Sequence, residues 1–146
     1  MSIKAILKWT LLAFTGIFIV SVAYVMATRD ATNARVAQQI RDNPEGQLAQ
    51  KTMLLTLEDQ RMYPVNFLRE GKHVYMSIDG LWWREFVDAP QPVTMFISGE
   101  QYIGSARAIL DDPERKAEVF SRLRPKVPGW LPDILDGKLV VISVEE

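Results

Sequence analysis

The stretch Met76–Met95 reads MSIDGLWWREFVDAPQPVTM, and the fold turns on its interpretation. A strand-like run ends at Ser77, Gly80 permits a turn, the paired aromatics Trp82 and Trp83 follow, and a second strand begins after two prolines. Strand, turn, aromatic segment and strand in so short a span indicate a small, mainly β domain.

Outward from this stretch the apolar period stays near two. Strand-like runs fall at Lys51–Leu57, Met62–Leu68, His73–Ile78, Val93–Ile97, Tyr102–Leu110 and Leu139–Val144, close to what a small barrel needs. Glu70-Gly71-Lys72 and Ser98-Gly99-Glu100 join consecutive runs as short glycine-bearing connections, which predicts two antiparallel hairpins. One helix interrupts the strands. Asp111 and Asp112 can cap it, Pro113 fits its first turn, Glu114 suits the positive end of its dipole, and its core face is expected at Ala117, Phe120 and Leu123. Pro125–Pro132, with three prolines and a glycine around Trp130, reads as an ordered loop before the last strand.

The N-terminal part of the 146 residues differs in composition. From Trp9 to Ala27, nineteen residues carry no charge, enough as a helix to cross roughly 28 Å of hydrocarbon. The run exceeds the roughly 7 to 15 apolar residues of a secretory signal, which favours an uncleaved anchor. Lys4, Lys8 and the small residues around Ala27 keep a cleaved signal peptide as the alternative. Both flanks are basic, Lys4 and Lys8 before the span and Arg29, Arg35 and Arg41 after it, and the N-terminus is read as inside with the folded domain outside. Ala31, Ala34, Ala37 and Ile40 then recur at helical spacing, predicting a short second helix that stops at Asn43-Pro44-Glu45-Gly46. The expected division is an anchor over 1–28, a short helix and linker over 29–46, and a barrel over 47–146.

Composition narrows the chemistry. Without cysteine there is no disulfide, thiolate nucleophile or Cys-ligated metal, and a net charge of −1 with interspersed signs offers no broad basic surface for nucleic acid. His73, the single histidine, lies beside a predicted turn and reads as a surface strand residue. Asp111, Asp112 and Glu114 are explained by a capped helix start, so no metal site is expected. No glycine-rich phosphate loop links a strand to a helix.

With these motifs in place, the chain resembles the split β-barrel superfamily of flavin and deazaflavin enzymes, in particular the deazaflavin-dependent nitroreductase family. There a strand ending in Ser and Gly leads to a Trp-aromatic-His-Asn-Leu helix, an Asn-Pro and a strand. Here Trp82-Trp83-Arg84-Glu85-Phe86 and Ala89-Pro90 take those places. Leu54-Leu55-Thr56 and Pro64-Val65 look like the family's first hairpin, and Gly104–Ile109, the helix after Asp112 and the closing Leu139–Val144 strand follow in the family's order. The resemblance covers about two thirds of the chain, in short motifs that speak for fold more than for activity.

The fold so implied is a split β-barrel of about six antiparallel strands with one or two helices, preceded by a single transmembrane helix. The implied activity is reduction of a quinone or nitroaromatic-like acceptor, with FMN or the deazaflavin F420 supplying the hydride chemistry and the protein supplying position, phosphate contacts and exclusion of water. Arg61, Ser77, Gly80, Trp82, Trp83 and Arg84 are the implied cofactor-binding residues, and no catalytic residue is assigned. The family's Gly- and Arg-rich first turn is shortened here to Leu57-Glu58-Asp59-Gln60-Arg61, whose two carboxylates oppose an anion. Arg61 and Arg84 can grip phosphate or stand as solvated strand-end arginines, and the tryptophans can stack on a flat ring, plug the barrel or form a subunit interface. The alternative function is therefore a cofactor-free binding or assembly module at the membrane. A homodimer is expected through a patch of Trp82, Trp83 and Phe86, alongside membrane lipid as the partner of the N-terminal helix.

Overall fold

A computed structural model describes residues 2–132 and 135–145. They form two compact units, 1–36 and 37–146. The first is helical. Helix α1, Ile3–Asp42, contains a window of mean hydropathy 2.1 with none of it buried, and is long and apolar enough to cross a membrane. The separate helix predicted after Arg29 is instead the continuation of α1, because Thr28-Arg29-Asp30-Ala31 contains neither glycine nor proline to break it. Pro44 does end it, two residues past Asp42.

In the second unit, α2 (Gln47–Lys51) precedes β1 (Thr52–Leu57), β2 (Met62–Glu70), β3 (His73–Ile78), a 3₁₀ helix (Leu81–Phe86), β4 (Gln91–Ile97), β5 (Glu100–Ile109), α3 (Pro113–Leu123) and β6 (Lys138–Val144). All six predicted strands are present, with Lys51 and Leu110 just outside them; α2 was not foreseen. The strands close in the order β1-β2-β3-β6-β5-β4 with antiparallel neighbours throughout. The predicted hairpins form at Gly71 and at Ser98-Gly99, where φ values of 48° and 87° meet the left-handed requirement of a tight two-residue turn.

Strand alternation fills the barrel. Met53, Leu55, Val74, Met76, Met95, Val140 and Ile142 are fully enclosed. The same period places Tyr75 and Leu139 on the outside, where Val119 and Phe120 of α3 cover them with Leu68, Ile109 and Val141. Ala117 is exposed, and α3 rests on Val119, Phe120 and Leu123. The first residues of this unit contribute too: Ala37 and Ile40 are buried, so the core starts before Pro44. At the N-terminus of α3 the Asp112 carboxylate accepts a hydrogen bond from the Arg115 amide at 2.9 Å, the predicted cap. His73 is exposed at the start of β3.

Candidate functional site

The sequence-predicted residues gather at one end of the barrel, where β1 and β3 finish and β2, β4 and β6 begin. Leu57 pairs with Val93 there, and Ile78 with Lys138. The 3₁₀ helix Leu81–Phe86 closes this end. Its Phe86 is fully buried in the barrel core, and Trp82 and Trp83 pack half-buried against the same core. Phe86 is thus unavailable to an exposed aromatic patch, because the short helix turns it inward. Gly80 has extended backbone and needs no unusual dihedral. It is required by space, since a Cβ there would lie 2.9 Å from Trp82 Cδ1.

Trp82 stacks on Tyr63, the ring centroids 4.3 Å apart and the planes 9° from parallel, and meets Phe86 edge-on at 5.9 Å. One face of Trp82 is therefore covered by a neighbour in the chain. Trp83 has the Arg84 guanidinium 5.8 Å and the Lys138 ammonium 6.0 Å from its ring centroid. Among the described residues Arg84 makes no ion pair.

Arg61 is differently placed. Its Nε donates to Asp59 at 2.6 Å, and its NH2 donates to both carboxylate oxygens of Glu85 at 2.7 and 2.8 Å. Glu85, then Asp59, raise its pKa still further above the usual arginine value, while the Arg61 backbone amide holds the Asp59 carboxyl below the ordinary carboxylate range. The fork ties the β1–β2 turn to the 3₁₀ helix. Gln60, at φ 71°, lets the turn curl so that the Leu57 amide reaches the Arg61 carbonyl at 2.9 Å. Beside the fork, a cleft of about 290 Å³ is lined by Glu58, Asp59, Glu85, Phe86 and Gln91 among others.

Ser77 faces another group. Its hydroxyl is 3.1 Å from Arg124 NH1, which also reaches Asp136 at 3.2 Å and Asp79 at 3.4 Å. Gly137 makes room, since a Cβ there would fall 2.2 Å from Ser77 Oγ. Arg124 and Asp136 gave no sequence signal for this role, because they come together only when α3 packs across β3 and β6. Nor did Tyr63 and Glu85, whose partners lie on other elements. Among the described residues no group of three or more His, Asp or Glu side chains is placed to hold a metal ion.

No family model and no curated protein sequence matches the chain. Solved structures do. A protein from Jannaschia sp. CCS1, provisionally assigned as general stress protein 26, aligns with a TM-score of 0.51 at 16% identity over 77% of this chain and 75% of its own. A protein from Listeria innocua, provisionally assigned as a pyridoxamine 5'-phosphate oxidase, aligns with a TM-score of 0.50 at 16% identity over 66% of this chain and 85% of its own. The shared architecture is the split barrel. At this identity the likeness concerns fold, so the site has to be judged on its own residues.

A flavin-type phosphate does not fit the first turn. Glu58, Asp59 and Glu85 set three carboxylates against the single guanidinium of Arg61, and that guanidinium already donates to two of them. A dianionic group approaching there would meet net negative charge and an occupied donor set.

Proposed function

We propose that this chain is a membrane-tethered split-barrel protein whose barrel works as a binding or assembly module, with no FMN or F420 held at the first turn. The observation that carries this reading is the engagement of Arg61 by Asp59 and Glu85. The tether is supported by the unburied apolar window of α1. The lysine-only start of that helix supports a topology with the N-terminus inside and the barrel outside the cytoplasm, where a noncovalent flavin is less readily supplied. A homodimer belongs to the same reading, formed by faces other than the inward-turned Phe86.

A second reading keeps the superfamily chemistry, in which a flavin or deazaflavin enzyme reduces a quinone or nitroaromatic-like acceptor. It is favoured by the shared fold and by Arg84, whose guanidinium lies over Trp83 with no ion pair among the described residues. In that case Trp83, Arg84, Gly80 and Ser77 would remain as the cofactor wall, while Arg61 and Trp82 would serve the protein.

Absorption spectra separate the two. The module predicts colourless purified protein and no binding on titration with FMN or F420. A near-ultraviolet or visible cofactor band, native or reconstituted at micromolar affinity, establishes the enzyme instead. Fusing to the C-terminus one reporter active only outside the cytoplasm, and separately one that matures only inside, reads the topology.

A further inference from the structure

The chain has no cysteine, so methionine supplies all of its sulfur, and within the barrel unit the methionines divide sharply by reach. Met53, Met76 and Met95 are fully enclosed in the core, each at 0% exposure. Met62 is the first residue of β2, where it pairs with Thr56 of β1 and is half-buried. The alternation that turns Tyr63 and Val65 towards the core leaves Met62 on the outer face. There it lines an open cleft of about 450 Å³ together with Thr94, Gln101 and Ile103 among others. Small water-sized solutes have ample room to reach it.

One charged donor already meets this sulfur. Arg41, in the last turn of α1 and within the barrel unit, has its NH2 3.3 Å from Met62 Sδ. Among the described residues Arg41 forms no ion pair, and this thioether, a weak acceptor, is its polar partner. Thioether sulfur is also nucleophilic towards hydroperoxides. It attacks the terminal oxygen: a sulfur–oxygen bond forms as the oxygen–oxygen bond breaks, and sulfur gives up an electron pair. The proton on the transferred oxygen passes to the departing one, which leaves as water or an alcohol. The product is a sulfoxide, whose oxygen is a far stronger acceptor than the thioether, and the unbranched side chain can draw back to seat it on the guanidinium.

We infer that Met62 is an oxidation site for hydroperoxides and that Arg41 receives the new oxygen, so that oxidation tightens the hold of the last turn of α1 on β2. A sulfoxide reductase would restore the thioether. Trypsin places Met53, Met62, Met76 and Met95 on separate peptides, because Arg61, Arg69 and Arg84 lie between them, so mass spectrometry reads each sulfur in the full-length chain. In detergent micelles treated with hydrogen peroxide, Met62 should gain oxygen at least about tenfold faster than Met53, Met76 or Met95, the rates converging in urea, where burial is lost. Urea unfolding before and after oxidation tests the arginine. Oxidation should favour the folded state about threefold or more in the parent relative to Arg41→Ala. Met62→Leu, a volume-conserving swap, should fold and show no change of stability with peroxide. Equal rates at the enclosed sulfurs and at Met62 overturn the inference. So does fast oxidation of Met62 with the same stability change in the parent and in Arg41→Ala. A peroxide response retained in Met62→Leu overturns it as well, since another residue then carries the effect.

Discussion

Tyr63 on β2 and Trp82 on the 3₁₀ helix lie face to face at 4.3 Å, so that the first hairpin of the barrel and the segment that closes its end are held by one aromatic stack. Trp82→Ala should cost about 2–3 kcal/mol, below the range for a fully buried ring because Trp82 retains some exposure. A double-mutant cycle with Tyr63→Ala should return a coupling of about 0.5–1.5 kcal/mol in urea unfolding. Additive losses would show that the rings are neighbours without being partners.

Freeing Arg61 tests the occupied-donor argument directly. Asp59→Asn with Glu85→Gln removes two negative charges from the turn and should bring FMN binding, absent in the parent, into the measurable range. The stability change should be small, since both ion pairs are solvent-exposed. Unchanged affinity, measured by fluorescence titration, would mean that more than charge closes this site.

Acid should loosen α3 through Glu70. Its carboxylate accepts hydrogen bonds from Arg122 and Arg115, each at 2.6 Å, and in that order they lower its pKa below the ordinary 4.5. A carboxyl whose folded pKa is depressed contributes stability that is fully present above the unfolded value and is lost as pH falls through the folded one. The arginines stay protonated throughout, with Arg115 raised further by Tyr75 and Glu70 and Arg122 by Glu70 and Glu118. The urea midpoint of the parent should therefore fall more steeply than that of Glu70→Gln once the pH drops below about 4.5. Parallel curves for the two proteins would remove Glu70 from the acid response.

Close approach rather than dihedral freedom makes Gly104 irreplaceable. A Cβ there would sit 2.7 Å from the Ser143 carbonyl oxygen and 2.8 Å from Ile142, on the β5–β6 ladder. Backbone cannot step aside as a side-chain tip can, so Gly104→Ala should destabilise by about 2–3 kcal/mol. Gly16→Ala, with nothing within 4 Å, should leave thermal unfolding of the barrel unchanged.

What the sequence determined by itself was local and periodic. The apolar run in α1, the six strands, the glycine turns at Gly71 and Gly99 and the Asp112 cap all follow from spacing and backbone preference, which act between residues a few positions apart. Continuity of α1 was also written there, in the missing breaker near Arg29, although the change in composition suggested two helices. Tertiary structure alone decided the partners. Closure set β6 between β3 and β5, and docking of the 3₁₀ helix brought Glu85 to Arg61 and Tyr63 to Trp82. Arginines that read alike as candidate phosphate ligands thereby separated, Arg61 neutralised between two carboxylates and Arg84 left over an indole with no ion pair among the described residues. Charge neutralisation depends on distances of a few ångströms between residues remote in sequence, and only the folded barrel sets those distances.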